Sequence, residues 1–415
     1  AVSAVVASAN LGVLIGAWTA SSIGLHHLLT FYPARRAAVI VAHKKFLASR
    51  LAEVLLIIAA ALLYRTWGSL DIAAITGHVP PAGSLPNEAD AAAVLIAAAA
   101  LLKCAQLPLH GWLIQVMEAP TPVSALLHAG VVNLGGYVLI RLAPLISASI
   151  AAQTLLVVIG SLTAAIAGLV MLTRITIKVR LAWSTCSQMG FMVMECGLGL
   201  YDLALLHLVA HSLYKAHAFL TSGEAVRDGL TRRLVADAVA DARTPTLLGA
   251  LSALLAAAIV ATASSTLWQI ALGLPPVPWV VNGLLACGLA TLLWSPEAGM
   301  RTRWAGLLSV VAGAQIYFGW HWLVAVPIGI PTSSPQAVLA LWSMLVFGGL
   351  YVTQAFVWIR GSAPGAGAFY EWIYAGLYLD ERFTRLTFWL WPARAEPNST
   401  ESPARAPLEK PEGVA

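Results

Sequence analysis

Residues 205–220 read LLHLVAHSLYKAHAFL, an apolar run that carries three histidines and one lysine. Steps of four residues set His207, His211 and Lys215 on one slightly slanted stripe of a helix, while His217 points elsewhere. The stretch therefore predicts a helix packed among other apolar helices, with one titratable seam. A row of imidazoles suits a hydrated proton path, because each ring can accept on one nitrogen and donate on the other. Interhelical hydrogen bonding is the plainer use of the same seam. His207 and His211 are also spaced for a metal, but no adjacent acid or third ligand accompanies them.

The rest of the chain has the same character. Its 415 residues are 59% hydrophobic and 10% charged, against about 25% charged in a soluble domain. Its apolar runs, about 18–27 residues long, can cross a ~30 Å hydrocarbon core as helices. The alternating strands of a membrane barrel are absent. These features predict an all-α polytopic membrane protein with about eleven or more transmembrane helices. The expected spans lie near 10–31, 46–66, 90–107, 123–146, 153–173, 183–200, 203–224, 246–272, 279–295, 305–326 and 338–359.

Alternate connections differ in charge. One side receives Arg35, Arg36, Lys44, Lys45, Arg174, Lys178, Arg180, Arg227, Arg232, Arg233, Arg243, Arg301, Arg303 and the C-terminal tail. The other receives Asp71, Glu88, Asp90 and Asp202, with Arg65 as the exception. By the positive-inside rule the basic side is cytoplasmic. The expected setting is a bacterial inner membrane, with basic loops and C-terminus in the cytoplasm. The opening AVSAVVASAN reads as the tail of a helix that starts before Ala1, not as a signal peptide. Cys104, Cys186, Cys196 and Cys287 lack CxxC spacing and read as packing residues.

Ionisable residues are concentrated in 1–226, the expected channel half. A cytoplasmic connector is expected at 227–245 and a lysine-free second transmembrane half at 246–360. A linker with an amphipathic helix follows at 361–392, then a disordered tail at 393–415. A charge at the bilayer centre costs about 3 kcal/mol or more, so each one needs a partner or water. Arg50 and Glu53 share a helix face and can pair. In LLKCAQLPLHGWLIQVMEAPTPVSALLHAG (101–130), Pro108 deprives the Cys104 carbonyl of its helical donor and leaves it free for an ammonium or a water. Lys103 beside such a break is a candidate proton carrier; a lysine snorkelling to the interface is the alternative. Glu118, at the helix break, is a candidate counter-charge or a cap for the next helix, and His128 follows about two turns into that helix.

KCAQLPLHGWLIQVMEAPTPVSALLHAGVVNLGGYVLIR (103–141), RLAWSTCSQMGFM (180–192) and residues 205–220 resemble, in order, the antiporter-like membrane subunits of respiratory complex I and the cation antiporters. The likeness runs from about residue 9 to 224. It implies a helical bundle of two inverted five-helix repeats with broken helices near the midplane. It also implies that Lys103 is the channel lysine, that His128, His207 and His211 join its polar axis, and that Arg50 and Glu53 match an Arg/acid pair of the family.

Three departures narrow the branch. GAWTASS (16–22) has Thr19 where the family has a glutamate, so Glu118 is the candidate substitute. The second half lacks its lysine motif, and no long lateral helix follows. Together with the ending YAGLYLDERFTRLTFWLWP (374–392), these features resemble the membrane subunits of the DAB inorganic-carbon accumulation complexes. That resemblance implies a subunit that conducts a cation, H+ before Na+, and does no hydration chemistry itself. It holds no cofactor of its own. The partner is a DabA-like cytoplasmic subunit of zinc carbonic-anhydrase type, which turns CO2 into bicarbonate. The expected route enters at His207, His211 and Lys215 and ends at Lys103 and Glu118. A proton-pumping subunit of a complex I-like enzyme and a cation/proton antiporter subunit remain alternative readings of the same residues.

Overall fold

The computed structural model describes residues 1–31, 35–80, 85–223, 246–294, 300–328, 334–360 and 366–391. The expected connector at 227–245, most of the linker and the tail from 393 lie outside the described residues. Among the described residues the chain forms helices and no strand; one isolated bridge joins Asn10 and Asp71.

The first helices are α1 (Val2–Ala7), α2 (Leu11–Leu29), α3 (Arg36–Trp67), α4 (Ile72–Gly77) and α5 (Asn87–Lys103). A broken region follows: α6 (Gly111–Ile114), α7 (Thr121–Ala129), α8 (Leu134–Arg141) and α9 (Ala143–Ala148). Long helices resume with α10 (Ile150–Leu172), α11 (Ile177–Gly197), α12 (Tyr201–Leu220), α13 (Leu247–Leu272), α14 (Trp279–Ala290), α15 (Met300–Ile328) and α16 (Ala337–Arg360). Two short helices, α17 (Ala366–Tyr374) and α18 (Leu379–Leu390), complete the described chain.

Each expected span overlaps a helix, and among the described residues six segments are long and apolar enough to cross a membrane. These are Ala38–Trp67, Thr121–Arg141, Ile150–Leu172, Leu247–Leu272, Trp304–Pro327 and Ala337–Val357. Helix ends differ from expectation by several residues in places, as at α11, which starts at Ile177 and takes in Lys178 and Arg180, and two differences matter most. Helix α3 starts ten residues early, so Lys44 and Lys45 are not loop residues but lie inside it, both buried. The span expected at 123–146 is in pieces. Gly130 leaves helical geometry, a 3-10 turn covers Val131–Asn133, and the Asn133 amide donates to the Ala129 carbonyl (2.9 Å) that the break exposes.

Close packing in a bilayer relies on small residues, because lipid tails supply no hydrophobic drive between helices. Helices α10 and α11 meet at Gly160 and Gly190. A Cβ on Gly160 would lie 2.6 Å from the Gly190 carbonyl oxygen, and one on Gly190 would lie 2.7 Å from that of Gly160. This crossing holds α11 against α10, and the turn Leu198–Leu200 returns α12 along α11. The later helices pack on the same group: the Trp342 indole donates to Ser161 Oγ (3.0 Å), and Gln336 donates to Gln153 (3.1 Å).

The C-terminal segment is not one helix but two, bent where Gly376, Leu377 and Tyr378 take left-handed backbone angles. It docks on its own chain. Arg174 donates to the Tyr374 carbonyl (2.6 Å), and the Trp391 ring stacks on His43 at 3.9 Å. Gly160→Leu is expected to force α10 and α11 apart and cost about 1–3 kcal/mol or more. Thermal unfolding in detergent, followed by size exclusion, should show a lowered midpoint. Gly16→Ala, where a Cβ meets open space, should leave it unchanged.

Candidate functional site

The site is built from two polar groups joined by the broken helix. The first surrounds the end of α5. Lys103 is buried, and its Nζ donates to Ser22 Oγ at 3.0 Å while lying 4.5 Å from the centre of the Trp18 ring. Trp18 and Ser22 sit one turn apart on α2, so this helix supplies a ring face and a hydroxyl beside Thr19. Lys45 on α3 donates to the carbonyl of the same Ser22. Two ammonium groups therefore share one serine. Glu53, about two turns along α3 from Lys45, is held by Arg50 Nη2 at 2.6 Å. The sequence reading paired Lys103 with Glu118. Glu118 ends the 3-10 turn Gln115–Glu118, and its side chain lies outside the described residues. The Cys104 carbonyl, expected to be free, accepts from Gln106 Nε2 (2.8 Å). The neighbouring amide closes the gap that Pro108 opened.

The second group follows α12. His207 Nδ1 lies 3.0 Å from Glu195 Oε2 on α11, and the His207 and His211 ring centres are 6.2 Å apart. One turn on, Lys215 is buried and donates to Ser184 Oγ (2.7 Å). His128 stacks on Phe219 of α12 at 4.4 Å. Both ring nitrogens of His128 and of His211 are buried without a partner among the described protein atoms. Buried polar atoms of this kind are satisfied by ordered water when protein offers nothing. His217 is exposed and off the seam.

The break in α7–α8 lies between the two groups. Cys104, next to Lys103, donates from Sγ to the Val132 carbonyl (3.3 Å), and Asn133 Nδ2 donates to Ser212 Oγ (2.7 Å), next to His211. No hydrogen bond or ring contact joins Lys103 directly to His128 among the described residues. Glu195, Lys45 and His321 are functional candidates that the sequence reading missed. Glu195 stood in plain view as the acid of the apolar MVMECG (192–197). His321, on α15, could be found only through its partner. It lies 2.7 Å from Asp202, which the charge count had placed in a loop and which is buried in the first turn of α12.

At the basic end the Lys44 ammonium, fully buried, is met by Asp380 of α18 at 2.9 Å and by Gln115 Oε1 at 2.9 Å. Gln115 Nε2 donates to the same carboxylate (2.7 Å). Gly111 makes room for it: a Cβ there would collide with the Asp380 carboxylate. Among the described residues no three His, Cys, Asp or Glu side chains gather as a metal site.

An antiparallel helical bundle with a broken helix and a buried lysine–histidine seam is the arrangement of an antiporter-like membrane module. The family model for NADH:quinone oxidoreductase/Mrp antiporter transmembrane segments matches residues 8–248. The "probable inorganic carbon transporter subunit DabB" of Hydrogenovibrio crunogenus is 41% identical over 401 residues, 94% of this chain and 74% of the relative. DabB2 of Halothiobacillus neapolitanus is 39% identical over 402 residues, 94% of this chain and 72% of the relative. A subunit in the structure of the Mrp complex from Dietzia has the same fold, with TM-score 0.51 and 24% identity over 93% of this chain and 44% of that one. The chain belongs to the NADH:quinone oxidoreductase/Mrp antiporter transmembrane family, in its DabB branch.

Asp380→Asn is expected to leave the Lys44 ammonium without its anion and to loosen α17–α18. Limited proteolysis in detergent should cut between 360 and 391 roughly tenfold faster, since breaking a buried pair costs about 3–5 kcal/mol and this pair is open on one side.

Proposed function

We propose that this chain is the cation-conducting membrane subunit of an inorganic-carbon accumulation complex. Its DabB relatives are named probable inorganic carbon transporter subunits; conduction is the part read from the residues. The observation that carries the reading is the seam Glu195–His207–His211–Lys215, which runs along α11 and α12 and approaches Lys103 across the break. From Asp202 to Lys215 the helix rises about 20 Å, two thirds of a ~30 Å hydrocarbon core. An apolar helix would pack at lower cost than one that carries ionisable groups over that length.

In this reading a proton enters from the acidic face and passes Glu195, His207 and His211. It reaches Lys215 and His128, where water between unpartnered imidazoles carries it on. It then crosses at the break to Lys103, Lys45 and the Arg50–Glu53 pair. Glu118 stays a candidate for the last step. The basic turn at Arg174 and Lys178, with α17–α18 docked on it, is the cytoplasmic face of a bacterial inner membrane. There a DabA-like zinc subunit of carbonic-anhydrase type binds and hydrates CO2 to bicarbonate. One charge crossing 100 mV is worth about 2.3 kcal/mol, a bias of roughly 50-fold. That is enough to make a reversible hydration run one way.

Lys103→Ala is expected to cut carbon accumulation at least about tenfold while the complex still assembles. Unchanged accumulation would reduce Lys103 to a packing residue. A gentle detergent pull-down through this chain, with metal analysis, should bring one large zinc-containing cytoplasmic subunit. Flavin and iron–sulfur subunits in its place would assign the chain to a redox-driven pump.

A further inference from the structure

A second polar site lies at the opposite end of α12 from Lys215. Asp202 and His321 are both buried, and they join the first twelve helices to α15. Each Asp202 oxygen is in use: Oδ1 accepts from the Leu203 backbone N–H (2.8 Å), and Oδ2 lies 2.7 Å from His321 Nε2. With Nε2 donating to the carboxylate, Nδ1 of the neutral ring is the acceptor. That Nδ1 is buried and has no partner among the described protein atoms.

The pair does not face closed packing. It forms the floor of a cavity of about 200 Å³ lined also by Pro275, Pro276, Pro278 and Ser334. Pro275, Pro276 and Ser334 are exposed, so the cavity reaches the surface. Chain direction sets which surface. The turns at 198–200, 273–278 and 334–336 share one end of the bundle, and the basic turn after α10 lies at the other. The prolines hold the rim open without offering N–H groups to the site. Inward, the Tyr317 ring on α15 lies 6.5 Å from that of His321, and Tyr317 and Glu195 of α11 line one further cavity. The site thus stands between bulk water and the first member of the seam.

We propose that Asp202 and His321 form the outer mouth of the ion path and that the ion they load is a proton. This rests on the conduction reading above and deepens it. A proton from the vestibule binds Nδ1 of His321, giving an imidazolium held by the Asp202 carboxylate. Its release inward goes to the Glu195–His207 pair and returns the neutral ring. Sodium is a poor fit. A hard cation takes several oxygen ligands, and among the described residues only Asp202 and Ser334 bring side-chain oxygens to this cavity. The half of the chain without lysines therefore supplies the first acceptor.

The test uses the intact complex in liposomes, with a pH dye inside and acid added on the face away from the partner. In the wild type the initial rate should saturate with outside acidity and ignore added sodium. His321→Gln and Asp202→Asn should each lower it about tenfold or more and abolish the saturation. Lys103→Ala is the control for the path itself. If Lys103→Ala stops the flux while both mouth variants conduct as the wild type does, the mouth proposal falls and the path stands. If Lys103→Ala also conducts, the path falls first. Sodium flux exceeding proton flux overturns the choice of ion. Should the mouth variants fail to assemble, Ser334→Cys leaves both groups intact. The native cysteines are buried, so a cationic impermeant thiol reagent added outside should slow the flux of that variant alone. No slowing overturns the proposal.

Discussion

An ammonium or carboxylate taken out of water must be given back most of what water supplied, and this chain is organised around that demand. Lys103 receives a serine hydroxyl and an indole face, Lys45 a serine carbonyl, and Lys215 a second serine. Glu53 has an arginine, while Glu195 and Asp202 have histidines. None of these partners is close in sequence except Arg50. Each therefore dictates which helices lie side by side, and the fold can be read as the set of neighbours these groups require.

That demand also accounts for the broken helices. A continuous helix keeps its carbonyls occupied and offers nothing to a passing charge. The breaks at Cys104 and Gly130 release backbone groups near the two polar clusters. Side-chain amides, Gln106 and Asn133, then take most of what is released. The breaks are patched, and Cys104 joins them by donating into the short turn at Val132, whose Asn133 reaches on to Ser212 of α12.

Much of this was legible in the sequence. The seam of His207, His211 and Lys215 follows from helical periodicity, and the position of each apolar run follows from its length. Loop charges were harder. Lys44, Lys45 and Asp202 lie at the margins of apolar runs, where hydropathy does not distinguish a surface residue from a buried one. Their burial is decided by partners far away in the chain, Asp380, Ser22 and His321. Glu195 is masked in another way. It is the only acid on its helix, and its meaning depends on a histidine that only the return of α12 brings to it. Sequence patterns report a residue's own helix well and its neighbouring helix poorly.

The Asp380 carboxylate, seated over Gly111, gives the C-terminal segment a second character. It looks like an appendage, yet it completes the inner wall of the first helices: it covers a buried cation on α3 and grips the turn after α6 at once. A chain shortened before α18 would not merely lose an anchor. It would expose an ammonium group beside the polar cluster and leave the Gln115 turn free to move. The residues of α18 thus belong, in electrostatic terms, to the first hundred and twenty of the chain.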